Sequence, residues 1–252
     1  DAAAVVMQRT DRFEAFPEAE PSVVERQIAH LKQRADLVVY AAPHLMHQEA
    51  GTVRRQCLVT LGVDVERFDE AGMDADLARA SGTSVDPDDV AHLPRPRVGF
   101  VGGIDAHTFD PGLFVDVARR LDDVSFIMVG GCSLPDGWCP LPNVTFLGRK
   151  PYDDVARYMA AVDCLIMPWN ESEWIKACNP IKLKEYLAVG RPVVTTDFAA
   201  LDDWRDLVKV ARGADAFAAA IRQTLSQAYD AGAARQRVSA EGWDGKADLL
   251  AR

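Results

Sequence analysis

The chain has 252 residues, 28 Lys and Arg against 38 Asp and Glu, a formal net charge of −10, and 48% hydrophobic residues. This is an ordinary soluble globular mix with room for one large domain or two small ones. The negative balance argues against nucleic acid, which needs a basic footprint, and against broad docking on an anionic membrane. No apolar run approaches the length that spans a bilayer. Asp1 to Gln8 lacks the basic region and small-residue cleavage site of a signal peptide.

In chain order, Ala3 to Met7 reads as a short buried strand. Pro21 to Arg34 reads as a helix, with Ser22 as N-cap and Glu25 three residues later. Ala35 to Tyr40 is a strand, Pro43 to Glu49 a short helix and Gln56 to Thr60 another strand. Residues 1–62 thus alternate β, α, β, α, β, the pattern of a parallel sheet, but are too short to close a domain. Residues 62–96 are rich in Asp, Ala, Gly and Pro with weak periodicity. They read as an interdomain connection with one helical turn near Asp74 to Ala80.

From Arg97 the alternation returns. Strands are expected at Val98–Val101, Val124–Val129, Val144–Leu147, Cys164–Met167, Pro192–Thr195 and Val208–Val210. Helices are expected at Pro111–Leu121, Tyr152–Ala161, Pro180–Val189 and Ala214–Ala228, and Ala234 to Arg252 reads as one last amphipathic helix containing Trp243. Apolar strands between amphipathic helices define an α/β chain with a doubly wound parallel sheet.

The five cysteines (57, 132, 139, 164 and 178) are scattered. A disulfide framework is not expected, and a reducing cytoplasm is. Cys132 and Cys139 bracket a Pro/Gly loop without further ligands, and His44 and His47 sit three apart on an exposed helical face. Neither spacing makes a zinc site, and no metal is expected.

The segment that carries chemistry is Cys178 to Asp197. Asn179 is placed as N-cap, Pro180 at the first helical position and Gly190 at the helix end. Leu183, Tyr186, Leu187 and Gly190 share a face that should pack on the sheet. Lys182 and Glu185 share another, opening toward the carboxyl ends of the strands. The free amides of Ile181, Lys182 and Leu183, with the helix dipole, form an anion site suited to a diphosphate. Glu185, a turn further in, can take both hydroxyls of a ribose. A plain exposed ion pair between Lys182 and Glu185 explains the spacing equally well.

The run NPIKLKEYLAVGRPVVTTD resembles the donor-site signature of GT-B glycosyltransferases, in particular the family-4-like, group 1 branch. Its Pro-x-Lys-x-x-Glu-Tyr-x-Ala-x-Gly-x-Pro-Val-Val core is present between Pro180 and Val194. Three further stretches are similar to that branch. VGFVGGIDAHTFDPGLF resembles the opening of the second domain, VTFLGRKPYDDVARYMAAVDCLIMPW the stretch that cups the base, and LVVYAAPHLMHQ with LGVDVERFD the close of the first domain.

The resemblance implies a Rossmann-like GT-B architecture with an incomplete first domain. Residues 1–62 would be the end of the acceptor domain and 63–96 the connection. Residues 97–233 would be the nucleotide-sugar domain, and 234–252 a C-terminal helix packing back toward the first. It implies transfer of a sugar, with retention and without a metal or other cofactor, from a nucleoside-diphosphate sugar to a sugar, lipid or small-molecule acceptor.

By the same resemblance Glu185 would hold the ribose, and the amides of Ile181 to Leu183 with Lys182 the diphosphate. The backbone at Arg149 and Lys150 would face the base, Gly102 and Gly103 would let the chain pass close to phosphates and sugar, and Trp169, Asn170 and Glu171 would touch the sugar. His107 and Lys182 are the candidate catalytic groups. The chain departs from the pattern twice. Ala177 stands where many relatives carry an acid, and Ile104 to Ala118 contains neither Arg nor Lys, leaving His107 as the only cation there. Glu171, Glu173, His107 and Lys182 are left to substitute. Residues ahead of Asp1 are expected to complete the first domain and to make any peripheral membrane contact, so this chain should bind donor without transferring sugar alone. A sugar-nucleotide epimerase and a non-catalytic binding module remain as alternatives.

Overall fold

The computed structural model describes residues 4–251. A small parallel sheet, order β1-β2-β3, is built from β1 (Val6–Arg9), β2 (Leu37–Tyr40) and β3 (Gln56–Leu58), with crossovers α1 (Pro21–Arg34) and α2 (Pro43–Gln48). The Ala3 end of the first expected strand lies outside the described residues. α1 does not use Ser22 as its cap. Pro21 takes the first helical position, where its missing N–H costs nothing, and the Ser22 hydroxyl turns to the Glu20 carboxylate at 3.2 Å. The apolar core here is small, and a buried charged knot supplements it. Arg9, 1% exposed, donates to both oxygens of Glu14 and to Glu49, which also takes Lys32 and the Tyr40 hydroxyl.

The connection is far more helical than its weak periodicity suggests. It holds α3 (Val65–Ala80) and the short α4 (Asp88–Ala91). Asp64 caps α3 by accepting from the Arg67 amide at 3.3 Å. The buried face of α3 is Phe68, Gly72, Ala75 and Ala78. Small residues give little amphipathic signal, yet they let α3 lie directly on a later helix.

The second sheet comprises β4 (Arg97–Val101), β5 (Ser125–Val129), β6 (Val144–Gly148), β7 (Cys164–Met167), β8 (Val193–Thr195) and β9 (Val208–Val210), all parallel, in the order β6-β5-β4-β7-β8-β9. Its helices are α5 (Pro111–Arg120), α6 (Tyr152–Ala160), α7 (Glu173–Ala177), α8 (Ile181–Val189) and α9 (Ala214–Ser226). The expected final helix is two, α10 (Ala231–Ser239) and α11 (Trp243–Ala251). The chain breaks at Ala240 to Gly242, where Gly242 pairs with Val63. Strand residues alternate between two cores. Phe126 and Met128 face α5 and α9, while Ile127 and Val129 face α6 and α8. The order reverses between β4 and β7, so a crevice opens at the carboxyl ends of those two strands.

Candidate functional site

Three backbone segments meet at that crevice: the turn after β4, the turn after β5, and the start of α8. Gly102 has φ +154, and a Cβ there would collide with the Lys182 ammonium. A Cβ on Gly130 would collide with the Gly102 carbonyl. Glycine at both positions is what lets the two turns and the lysine close up. Tyr186 fixes the register between helix and turn. Its buried hydroxyl accepts from the Val101 amide at 2.8 Å and donates to the Val101 carbonyl at 3.2 Å.

α8 starts differently from the sequence expectation. Pro180, not Asn179, occupies the cap position, and no side chain caps the helix. The Asn179 amide donates instead to the Ala41 carbonyl beside the first sheet, at 3.0 Å. The first-turn amides therefore keep their capacity for an anion. Burial extends around nearly the whole of α8 because α3, α6 and α10 all pack on it. Even Lys184 is enclosed, paired with Glu241 and donating to the Leu61 carbonyl at 2.6 Å.

Lys182 and Glu185 are brought together at the crevice, but not as an ion pair. The Lys182 ammonium lies 4.6 Å from the centroid of the Phe100 ring. Burial pushes it down to about 8, opposed by the charges of Glu185, Asp105 and Cys178. Glu185 is 9% exposed, and burial raises its pKa, with Lys182 pulling the other way. Among the described residues neither group makes a hydrogen bond. A buried carboxylate and a half-buried ammonium left this way are poised for an external partner.

The other expected residues divide. Gly103 is exposed in the turn after β4 and Ile181 is half-buried at the start of α8, whereas the Leu183 side chain is in the core, so only its amide is available. Asp105, which the sequence reading passed over, shapes the turn by accepting from the His107 and Thr108 amides, each at 2.9 Å. His107 packs between Phe16 (5.3 Å) and Trp174 (5.2 Å), with its Nε2 buried and unpartnered. Arg149 reaches across Gly131. The Lys150 side chain turns away from the crevice, paired with Asp89 at 2.6 Å.

Trp169 is buried against Phe198. The Asn170 amide is consumed by the carbonyls of Ala106 and His107. Glu171 sits on the α5–α9 side beside a hollow of about 320 Å³, pairing loosely with Arg212 at 3.5 Å. Trp169 and the Asn170 amide therefore brace this loop, whereas the Glu171 carboxylate stays exposed. Glu173 pairs with Lys176 and Arg12 on the surface. Asp11, also unanticipated, stands after β1, with its pKa raised by burial and its charge felt by Cys178. Among the described residues no three His, Cys, Asp or Glu side chains gather as a metal site requires, and no helix is long and apolar enough to cross a membrane.

A doubly wound sheet whose switch-point crevice joins glycine turns to an uncapped, cation-bearing helix start defines a Rossmann-like domain of GT-B type. The chain belongs to the glycosyl transferases group 1 family, whose model matches residues 95–227. It is 28% identical over 195 residues to a Bacillus subtilis (strain 168) protein named as the teichuronic acid biosynthesis glycosyltransferase TuaH, covering 74% of this chain and 46% of that protein. The chain thus spans about half the length of this relative. Among solved structures it is similar to sucrose-phosphate synthase from Thermosynechococcus elongatus, with 17% identity, TM-score 0.69, and 98% of this chain and 66% of that one covered. It is equally similar to HepE from Anabaena in complex with UDP and glucose, with 17% identity, TM-score 0.69, and 98% and 70% covered. These likenesses establish the GT-B fold.

Proposed function

We propose that the chain carries the donor site of a glycosyltransferase that takes a sugar from a nucleoside diphosphate. The observation that carries this reading is the unpartnered pair on α8, Lys182 over Gly102 and the buried Glu185 one turn further in. The α8 amides and the Lys182 ammonium receive the diphosphate, and Glu185 accepts from the ribose hydroxyls. As the bond from the anomeric carbon to the diphosphate breaks, its electron pair stays on the diphosphate oxygen, while an acceptor hydroxyl bonds to the anomeric carbon and its proton leaves with the released diphosphate. The helix start and the ammonium stabilise that charge in place, without solvent reorganisation. Retention of configuration and independence from metal are part of the proposal, as the resemblance of the Pro180 to Val194 segment implies. The UDP and glucose complex of HepE, which shares the fold, supports a nucleoside-diphosphate ligand.

The test is calorimetry with UDP, GDP, ADP and dTDP and their sugars, with and without a chelator. One or more should bind, unaffected by the chelator, and Lys182→Ala should weaken the diphosphate more than the nucleoside. Absence of binding by all of them, or equal losses for diphosphate and nucleoside, would remove the assignment.

A further inference from the structure

Besides Lys182 and Glu185, α8 carries two polar side chains, and they hold it from opposite sides. Tyr186 reaches Val101 at the end of β4. Lys184 lies about 200° around the helix from it and is 2% exposed. The Lys184 ammonium uses all three of its donors, on the Glu241 carboxylate, the Thr60 hydroxyl at 3.2 Å and the Leu61 carbonyl at 2.6 Å. Glu241 in turn accepts from the Thr60 hydroxyl at 3.3 Å and pairs with Lys246 at 2.8 Å.

These partners lie where the chain passes twice. Thr60 to Val63 leave the first sheet after β3, and Glu241 to Trp243 bring the tail back beside them. The two passages are fastened together. The Val63 amide donates to the Glu241 carbonyl at 3.0 Å, Gly242 pairs with Val63, and a Cβ on Gly62 would stand 2.6 Å from the Trp243 ring. The tail also holds the far end of α8, where Arg235 donates to the Val189 carbonyl at 3.0 Å in a slot left by Gly72 and Gly190. The first turn of α8 depends on such support. It has no side-chain cap, and among the described residues Lys182 and Glu185 bond to nothing that would fix the helix beneath them.

We propose that Lys184 is a positioning residue for the donor site: through it the two chain passages hold α8 where Lys182 stands over Gly102 and Glu185 one turn deeper. The proposal rests on the donor-site reading above and extends it to a side chain that touches no ligand. Any movement of α8 away from the passages leaves a buried ammonium or carboxylate short of a partner, which is costly away from water. The position of the donor helix is thereby tied to the end of the first sheet and to the tail.

The experiment titrates, from pH 7 to 9.5, whichever UDP-, GDP-, ADP- or dTDP-sugar binds the unsubstituted chain most tightly. Lys184→Met should weaken binding about two- to thirtyfold at pH 7, the range of a coupling carried through packed elements. It should also shift the alkaline fall in affinity to higher pH. A displaced Lys182 regains water, and its pKa climbs from about 8 toward the ordinary 10.5. The charges that reach Lys182 are those of Glu185, Asp105 and Cys178, so loss of the Lys184 charge does not by itself produce that shift. Glu241→Gln should match Lys184→Met, and the two together should be no worse than either alone. The double variant strands neither partner of the pair, so it decides if circular dichroism shows a single variant unfolded. Lys246→Met, which leaves Lys184 its carboxylate, should bind donor as the unsubstituted chain does. Unchanged affinity in the folded double variant would overturn the role, as would a loss whose alkaline fall stays centred near pH 8, or an equal loss in Lys246→Met. Glu185→Ala separates the two claims. If it too leaves binding intact, the donor site itself is wrong; if it abolishes binding while the folded double variant binds normally, only the role of Lys184 falls.

Discussion

Donor affinity should fall at alkaline pH through one identifiable group. The free chain holds the Lys182 ammonium at about 8 against an ordinary 10.5, because burial removes water that nothing in the protein replaces. A diphosphate beside it restores the charge and raises that pKa, so binding takes up a proton wherever the free lysine is neutral. From a pKa of about 8 the free group is roughly nine-tenths charged at pH 7 and roughly one-tenth at pH 9. The Lys182 contribution to affinity should therefore be flat below pH 7 and about tenfold lower at pH 9, on the order of 1.4 kcal/mol. The sign for stability is opposite. With the folded pKa below the unfolded one, the unfolded chain binds more protons between about 8 and 10.5. This group's contribution thus improves as pH rises through that window. The assay is titration calorimetry of a nucleotide sugar, whose diphosphate does not titrate in this range, in two buffers of different ionisation enthalpy. Lys182→Met is the control, since it keeps length and packing without the charge. A flat profile from pH 7 to 9.5, or the same slope in Lys182→Met, would refute the reasoning.

Other outcomes follow from the same contacts. Glu185→Gln should weaken donor binding by more than about 1 kcal/mol, since the ribose hydroxyls lose a charged acceptor; equal affinity by calorimetry would take Glu185 out of the site. Because burial raises its carboxyl, affinity should also fall on the acid side as Glu185 protonates, and Glu185→Gln should remove that limb. Tyr186→Phe leaves the Val101 amide without its 2.8 Å partner. It should cost about 1–3 kcal/mol in denaturant unfolding and loosen the Gly102 turn; unchanged stability would show that the clamp is dispensable. Gly72→Ala drives a methyl into the Val189 carbonyl where α3 crosses α8. It should cost about 1–3 kcal/mol, and a melting temperature equal to that of the unsubstituted chain would contradict the close helix contact.

What the sequence determined by itself is whatever depends on local pattern. Apolar runs punctuated by Gly and Pro mark every strand of the second sheet. The spacing from Pro180 to Val194 places Lys182 and Glu185 one turn apart on a helix ending at Gly190. A period of 3.6 and a β/α alternation are enough for that.

Tertiary structure decided the rest, because the deciding partners lie far away in the chain. α3 was illegible as a long helix, since its buried face of Gly and Ala is meaningful only against α8, more than a hundred residues later. Lys184 looks like any exposed lysine until α8 is enclosed and Glu241 meets it. The resemblance set the Lys150 backbone and Asn170 at the donor, and only the fold shows the Lys150 side chain held by Asp89 and the Asn170 amide held by the carbonyls of Ala106 and His107. Conversely, nothing local says that Lys182 stays unpaired. It stays unpaired because Gly102, eighty residues upstream, has no side chain, and the space so left admits an ammonium while bringing no carboxylate within bonding distance.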